Sequence, residues 1–118
     1  MIQIISALTE AHYQYARNLF VQYADTLGID LEFQGFSREL ATLPGEYAPP
    51  LGCILLAEFS GNYVGCVALR PLESKICEMK RLFVIPGYRG RDIGRTLTCS
   101  VIDRARLMRF EKMRLDTI

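Results

Sequence analysis

The stretch Phe83-Val84-Ile85-Pro86-Gly87-Tyr88-Arg89-Gly90-Arg91-Asp92-Ile93-Gly94-Arg95-Thr96-Leu97 decides how the rest of the chain is read. An apolar segment runs through a Pro/Gly loop into a basic turn with two glycines, and that turn opens an amphipathic pattern of helical period. Backbone N–H groups at a helix start have no partner inside the helix, and the helix dipole adds partial positive charge there. Gly90 and Gly94 allow a ligand close to the backbone, while Arg89, Arg91 and Arg95 bring full positive charge. Together these make a seat for a phosphate or pyrophosphate. Taken without its neighbours, the same stretch also reads as an ordinary strand-loop-helix with surface arginines.

Upstream of it, Cys53-Ile54-Leu55-Leu56-Ala57-Glu58 and Tyr63-Val64-Gly65-Cys66-Val67-Ala68-Leu69 flank Ser60-Gly61-Asn62 and read as a hairpin. Residues 76–84 make a third long strand. The helix that follows covers residues 93 to about 108, with Leu97, Val101, Ala105 and Met108 as its inner stripe. At the start of the chain, Ile2-Gln3-Ile4-Ile5 reads as a short strand. Thr9 can cap a helix over residues 10–27, which Gly28 ends. Tyr13, Ala16, Leu19, Phe20, Tyr23, Ala24 and Leu27 share one face of it. Tyr13 and Tyr23 fit a packed core face or a substrate contact. Residues 33–43 form a shorter helical region with Ser37 as its cap, stopped by Pro44-Gly45, and residues 113–118 form a last strand. The order is β-α-α-β-β-β-α-β, an α/β chain with a mixed sheet and helices on both faces, without repeats, linkers or low-complexity segments.

The basic turn matches none of the common phosphate motifs. A P-loop ends in Gly-Lys-Ser/Thr, and a dinucleotide-binding turn carries three glycines. It resembles instead motif A of the GNAT superfamily of N-acetyltransferases, Gln/Arg-x-x-Gly-x-Gly/Ala. Arg89 and Gly94 match the ends of that pattern, and Asp92 stands where its first glycine is expected. The segments Gly65-Cys66-Val67-Ala68-Leu69-Arg70, Cys77-Glu78-Met79-Lys80-Arg81-Leu82-Phe83-Val84 and Arg114-Leu115-Asp116-Thr117 are similar to the strands that flank motif A in bacterial members.

The resemblance implies a single domain over residues 1–118 that moves an acetyl group from acetyl-CoA to a primary amine of a small molecule or a protein. Residues 89–95 (Arg89, Gly90, Arg91, Asp92, Ile93, Gly94, Arg95) would hold the CoA pyrophosphate. Leu82, Phe83 and Val84 would bind the pantetheine arm as an added strand, with an N–H near Leu82 or Phe83 polarising the thioester carbonyl. Glu78 would be the general base; it also reads as a strand glutamate paired with Lys80, Arg81 or Lys112. Period-two alternation puts Glu78 on one strand face with Lys80, Leu82 and Val84. Asp92 repels pyrophosphate, by about 1 kcal/mol or less in water, and in a first helical turn it favours the dipole by about 0.3–1 kcal/mol.

Complete GNAT domains continue with a further helix and two strands, which bring a tyrosine that protonates the leaving thiolate. The chain is therefore expected to be truncated after the fifth strand, with an apolar sheet edge that a second copy covers as a homo-oligomer. An alternative function, a non-catalytic CoA-binding or assembly module, follows from the same truncation and from Asp92.

Composition sets the remaining bounds. The 118 residues are 50% hydrophobic with a net charge of +1, enough apolar content for one core and no global field favouring nucleic acid or a membrane surface. Cys53, Cys66, Cys77 and Cys99 lack Cys-x-x-Cys spacing and read as free thiols of a cytoplasmic protein. No basic segment followed by an apolar run marks a signal peptide, and no apolar stretch reaches the roughly 18 residues of a membrane span. His12 is the only histidine; it reads as a solvated helix residue, and no residue spacing suggests a metal site.

Overall fold

A computed structural model describes residues 1–115. Five strands form one sheet in chain order: β1 Ile2–Ser6, β2 Cys53–Phe59, β3 Asn62–Glu73, β4 Ile76–Val84 and β5 Lys112–Leu115. The first four pair antiparallel, and β5 joins β4 in parallel. Helices α1 (Glu10–Leu27) and α2 (Phe36–Ala41) cover one face, and α3 (Ile93–Leu107) covers the other. The element order and the mixed sheet are those read from the sequence.

Each face of the sheet buries its own core. Toward α1, Ile54, Leu56, Cys66, Ala68 and Phe83 meet Ala16, Leu19 and Phe20. Toward α3, Leu55, Ala57, Val67 and Leu69 meet Ile93, Leu97, Val101 and Ala105. The period-two alternation of β2 and β3 is thus buried on both sides, so both strands read as nearly continuous apolar runs. Gly65 sets how closely α3 docks. A Cβ there would lie 3.0 Å from the Phe83 carbonyl oxygen and 3.1 Å from Leu97 Cδ1, so only glycine lets the helix settle onto the sheet.

Helix α1 starts as its sequence dictates: the Thr9 hydroxyl accepts from the His12 N–H, and Gly28 closes the helix in the left-handed region. The second helical region departs from expectation. It divides into a 3-10 turn, Leu31–Gln34, and α2, and Gly35 at φ 72° joins the two. Ser37 lies inside α2 and caps nothing. Its N–H donates instead to Glu32 Oε1 at 2.9 Å, and its hydroxyl bonds the same carboxylate. Of the last strand expected over residues 113–118, residues 116–118 lie outside the described residues. No helix among the described residues is long and apolar enough to cross a membrane.

Candidate functional site

The site is organised by one irregularity in β4. Two steps on β3, Cys66 to Ala68, face three on β4, Phe83 to Lys80, so β4 carries an extra residue there. Arg81 has φ 61°, and its side chain is fully buried. Its Nε and Nη2 donate to the two carboxylate oxygens of Glu39 on α2, both at 2.9 Å. The rings of Tyr23 and Phe36 lie 5.7 and 5.2 Å from the guanidinium carbon. Burial opposes the charge on Arg81, but the hydrogen bonds and charge of Glu39 outweigh it and raise its pKa. A left-handed arginine is strained; a bidentate buried partner and two aromatic faces hold it.

The bulge overturns the expected alternation. Glu78 and Lys80 border a cavity with α2, whereas Leu82 and Val84 pack into the core beneath α3. The four residues therefore do not share a face, because the extra residue reverses the pleat between Lys80 and Leu82.

The β4–β5 ladder runs from Ile76↔Lys112 to Met79↔Leu115, and among the described residues nothing pairs with residues 80–84 on that side. A cavity of about 490 Å³ opens there. It is lined by Leu82, Phe83 and Val84, by Arg89, Gly90, Asp92, Ile93, Gly94 and Arg95, and by Tyr23, Thr26 and Leu27 at the end of α1. Of the residues expected to hold the cofactor, Arg91 alone is absent from this lining. Its guanidinium is turned over the rings of Phe59, at 5.3 Å, and Tyr88, at 5.8 Å. Arg89 donates from Nε to the Val84 carbonyl at 3.1 Å, tying the turn to the end of β4. The α1 contribution was not legible beforehand, since Thr26 carries no pattern and Tyr23 fits a core face equally well.

Asp92 is not in the first helical turn. It is the residue before α3, at φ 61° and ψ 18°, and its side chain caps nothing. Its carbonyl accepts the first helical bond, from the Thr96 N–H at 2.9 Å. The N–H groups of Ile93, Gly94 and Arg95 precede that bond and have no partner within the helix. These three residues line the same cavity as Leu82, Phe83 and Val84.

Glu78 is paired, but with a different cation from those considered. Its Oε1 accepts from Arg70 Nε at 2.8 Å, and Arg70 Nη1 reaches both oxygens of Glu46 at 3.1 Å. Arg70 stands directly opposite Glu78 in the β3–β4 register, which shifts between Pro71 and Glu73, so plain counting back from the Glu73–Ile76 pair puts Met79 there instead. Glu78, Arg70, Glu46, Glu39, Arg38, Tyr47 and Lys80 line a second cavity of about 670 Å³, on the α2 side of the bulge. The Tyr47 phenol is buried; desolvation first and the charge of Glu39 second push its pKa up. His12 lies apart, accepting the Leu8 N–H at 3.1 Å. No group of His, Cys, Asp and Glu that could hold a metal occurs among the described residues.

A mixed sheet whose bulged fourth strand leads through a basic turn to the N-terminus of α3 is the frame of the site. The sequence profile of the acetyltransferase (GNAT) family matches residues 6–118, and the chain belongs to that family. It is 38% identical over 102 residues to an uncharacterized N-acetyltransferase of Schizosaccharomyces pombe, covering 85% of this chain and 63% of that protein. The chain thus spans somewhat less than two thirds of that relative's length. A GNAT-family acetyltransferase from Staphylococcus aureus superposes with a TM-score of 0.83 at 24% identity, over 100% of this chain and 74% of that one. The PaiA N-acetyltransferase of Thermoplasma acidophilum, solved in complex with coenzyme A, superposes at 0.73 and 17% identity, over 98% of this chain and 78% of that one.

Proposed function

We propose that the chain transfers an acetyl group from acetyl-CoA to a primary amine. One observation carries the reading: Leu82, Phe83 and Val84, which have no strand partner on the β5 side among the described residues, line a single cavity with Ile93, Gly94 and Arg95, whose N–H groups have no partner within α3. Acetyl-CoA has the complementary shape, an amide-bearing arm that pairs with a strand edge and a pyrophosphate that sits at a helix start. Gly90 and Gly94 leave room for it, since a Cβ at Gly90 meets nothing within 4 Å and one at Gly94 only Val84 Cγ2 at 3.8 Å.

The residues then divide the work. The turn of residues 89–95 and Leu82 to Val84 hold the donor, and the N–H of Leu82 or Phe83 polarises the thioester carbonyl. Glu78 takes the proton of the incoming ammonium, directly or through water, while Arg70 holds one of its oxygens. The amine nitrogen attacks the carbonyl carbon; a C–N bond forms, the C–S bond breaks, and the second proton shed by the nitrogen passes through water to the departing sulfur, so CoA leaves as the thiol.

Calorimetry with CoA tests the donor site. Gly94→Glu places a carboxylate in the cavity where the fold has space for it, and affinity is expected to fall at least tenfold. Equal affinity for both proteins excludes this seat. For the base, Glu78→Gln is expected to lower amine-dependent thiol release at neutral pH at least tenfold, with CoA affinity retained. A rate unchanged across pH returns Glu78 to its ion pair with Arg70 and leaves water as the proton carrier.

A further inference from the structure

The second cavity holds a cation, Lys80, that the transfer reaction does not use. Three carboxylates line it. Glu39 is taken by Arg81, and Glu46 and Glu78 share Arg70. Two cations remain. Arg38 is exposed at the mouth, and Lys80 lies on the wall with only 8% of its surface exposed. Among the described residues, neither has a carboxylate within ion-pair distance. An exposed arginine needs no explanation; Lys80 differs, because its stem is packed into the wall and its ammonium opens on the cavity with no carboxylate beside it among the described residues.

We infer that this cavity takes an amine that also carries a carboxylate, with the carboxylate on Lys80 and the amine toward Glu78. This rests on the acetyl-transfer reading and names the acceptor class for it. Lys80 and Glu78 are two residues apart on one strand, roughly 7 Å at their Cα atoms, and both turn into the cavity. One positive and one negative group at that spacing match a small molecule that is itself zwitterionic, an amino acid. The volume, about 670 Å³, suits a ligand of that size. Lys80 offers a single positive charge, which a carboxylate neutralises and a doubly charged phosphate overshoots.

Ligand-observed and chemical-shift NMR on the full chain with CoA present tests this directly. Glycine, β-alanine, 4-aminobutyrate and glutamate are each compared with their carboxamides, and phosphoethanolamine serves as the phosphate-bearing amine. At least one free acid is expected to bind tenfold or more tightly than its amide. Lys80→Met should abolish that preference, and Lys80→Arg should keep it. Acids and amides that bind alike, or a preference that survives Lys80→Met, overturn the assignment. So does phosphoethanolamine binding more tightly than every acid, or no binding by any of them. Thiol release with simple amines but no acid preference would refute the acceptor class while leaving acetyl transfer in place. Lys80-dependent binding of acids without any thiol release would do the reverse.

Discussion

Asp92 occupies a backbone conformation that glycine adopts without strain, φ 61° and ψ 18° at the residue before α3. That explains why motif A has glycine at this position: the chain must turn left-handed to aim the next three N–H groups into the cavity. Aspartate is among the few L residues that enter this region readily, so the turn survives the replacement. Its charge, however, now faces the space assigned to pyrophosphate. Asp92→Asn keeps the backbone tolerance and removes the charge, and we expect CoA to bind more tightly by about 0.5–1.5 kcal/mol. Asp92→Gly should gain the same amount. Its relief of strain is offset by the larger entropy of glycine in the unfolded chain, so the melting temperature should move little. Weaker binding in both variants, measured by calorimetry, would show that the carboxylate assists the ligand. The cysteines behave differently from one another on the same local grounds. Burial pushes the Cys53 thiol up to about 11, and Cys66 and Cys77 are likewise buried and raised. Cys99 alone is exposed. A thiol reagent should therefore modify one site rapidly in the native protein and four after denaturation, and two or more fast sites would contradict this burial.

At the scale of elements, the bulge in β4 is the joint between the two cavities, and α2 holds it. The link is the Arg81–Glu39 pair, with side-chain exposures of 0% and 14%. Glu39→Gln takes the bidentate carboxylate from a buried guanidinium, so it is expected to destabilise the fold by about 1–3 kcal/mol. The denaturant midpoint should fall at constant slope. A shift below about 1 kcal/mol would mean that the pair behaves as a surface bridge and that α2 does not secure the bulge. This joint is also where reading the sequence failed. Strand and helix spans were legible because apolar periodicity and turn residues act locally: residues 76–84 and the α3 stripe lie where their patterns put them. The extra residue at Arg81 is set by a partner on another element, far away in sequence, and alternation alone carries Glu78 and Val84 to the same face. The helix cap failed for a related reason. Ser37 has the chemistry of a cap, but Gly35 takes the left-handed turn and Ser37 bonds back to Glu32. In the site itself, the glycines and Arg89 were legible from backbone chemistry, whereas Arg91 was drawn away by Phe59 and Tyr88, rings contributed by distant and neighbouring segments alike.

At the scale of the whole sheet, β1 and β5 are the outer strands among the described residues, and β5 is the one beside the site. Its described part, Lys112–Leu115, mixes charged and apolar residues, and the rest of the apolar edge expected over residues 113–118 lies outside the described residues. Lys112 and Arg114 are exposed on it, Met113 is half-buried against the α3 core, and Leu115 is 61% exposed. Charges on an edge strand discourage pairing with a second copy. Their repulsion is modest in water, about 1 kcal/mol for a pair at 4 Å, and salt screens it over a Debye length near 8–10 Å. The unpaired backbone of β5 and the exposed Leu115 are not screened. We therefore expect the 118-residue chain to self-associate through β5 in a way that strengthens with salt, the reverse of an association driven by opposite charges. Light scattering at tens of micromolar, at low and high salt, measures this. Leu115→Lys adds a third positive charge and removes the exposed apolar group, so it should hold the chain monomeric under both conditions. If the unmodified chain stays monomeric at high salt, the β5 edge is not an interface between copies. Association that weakens with salt would place the contact elsewhere, on a surface where opposite charges meet.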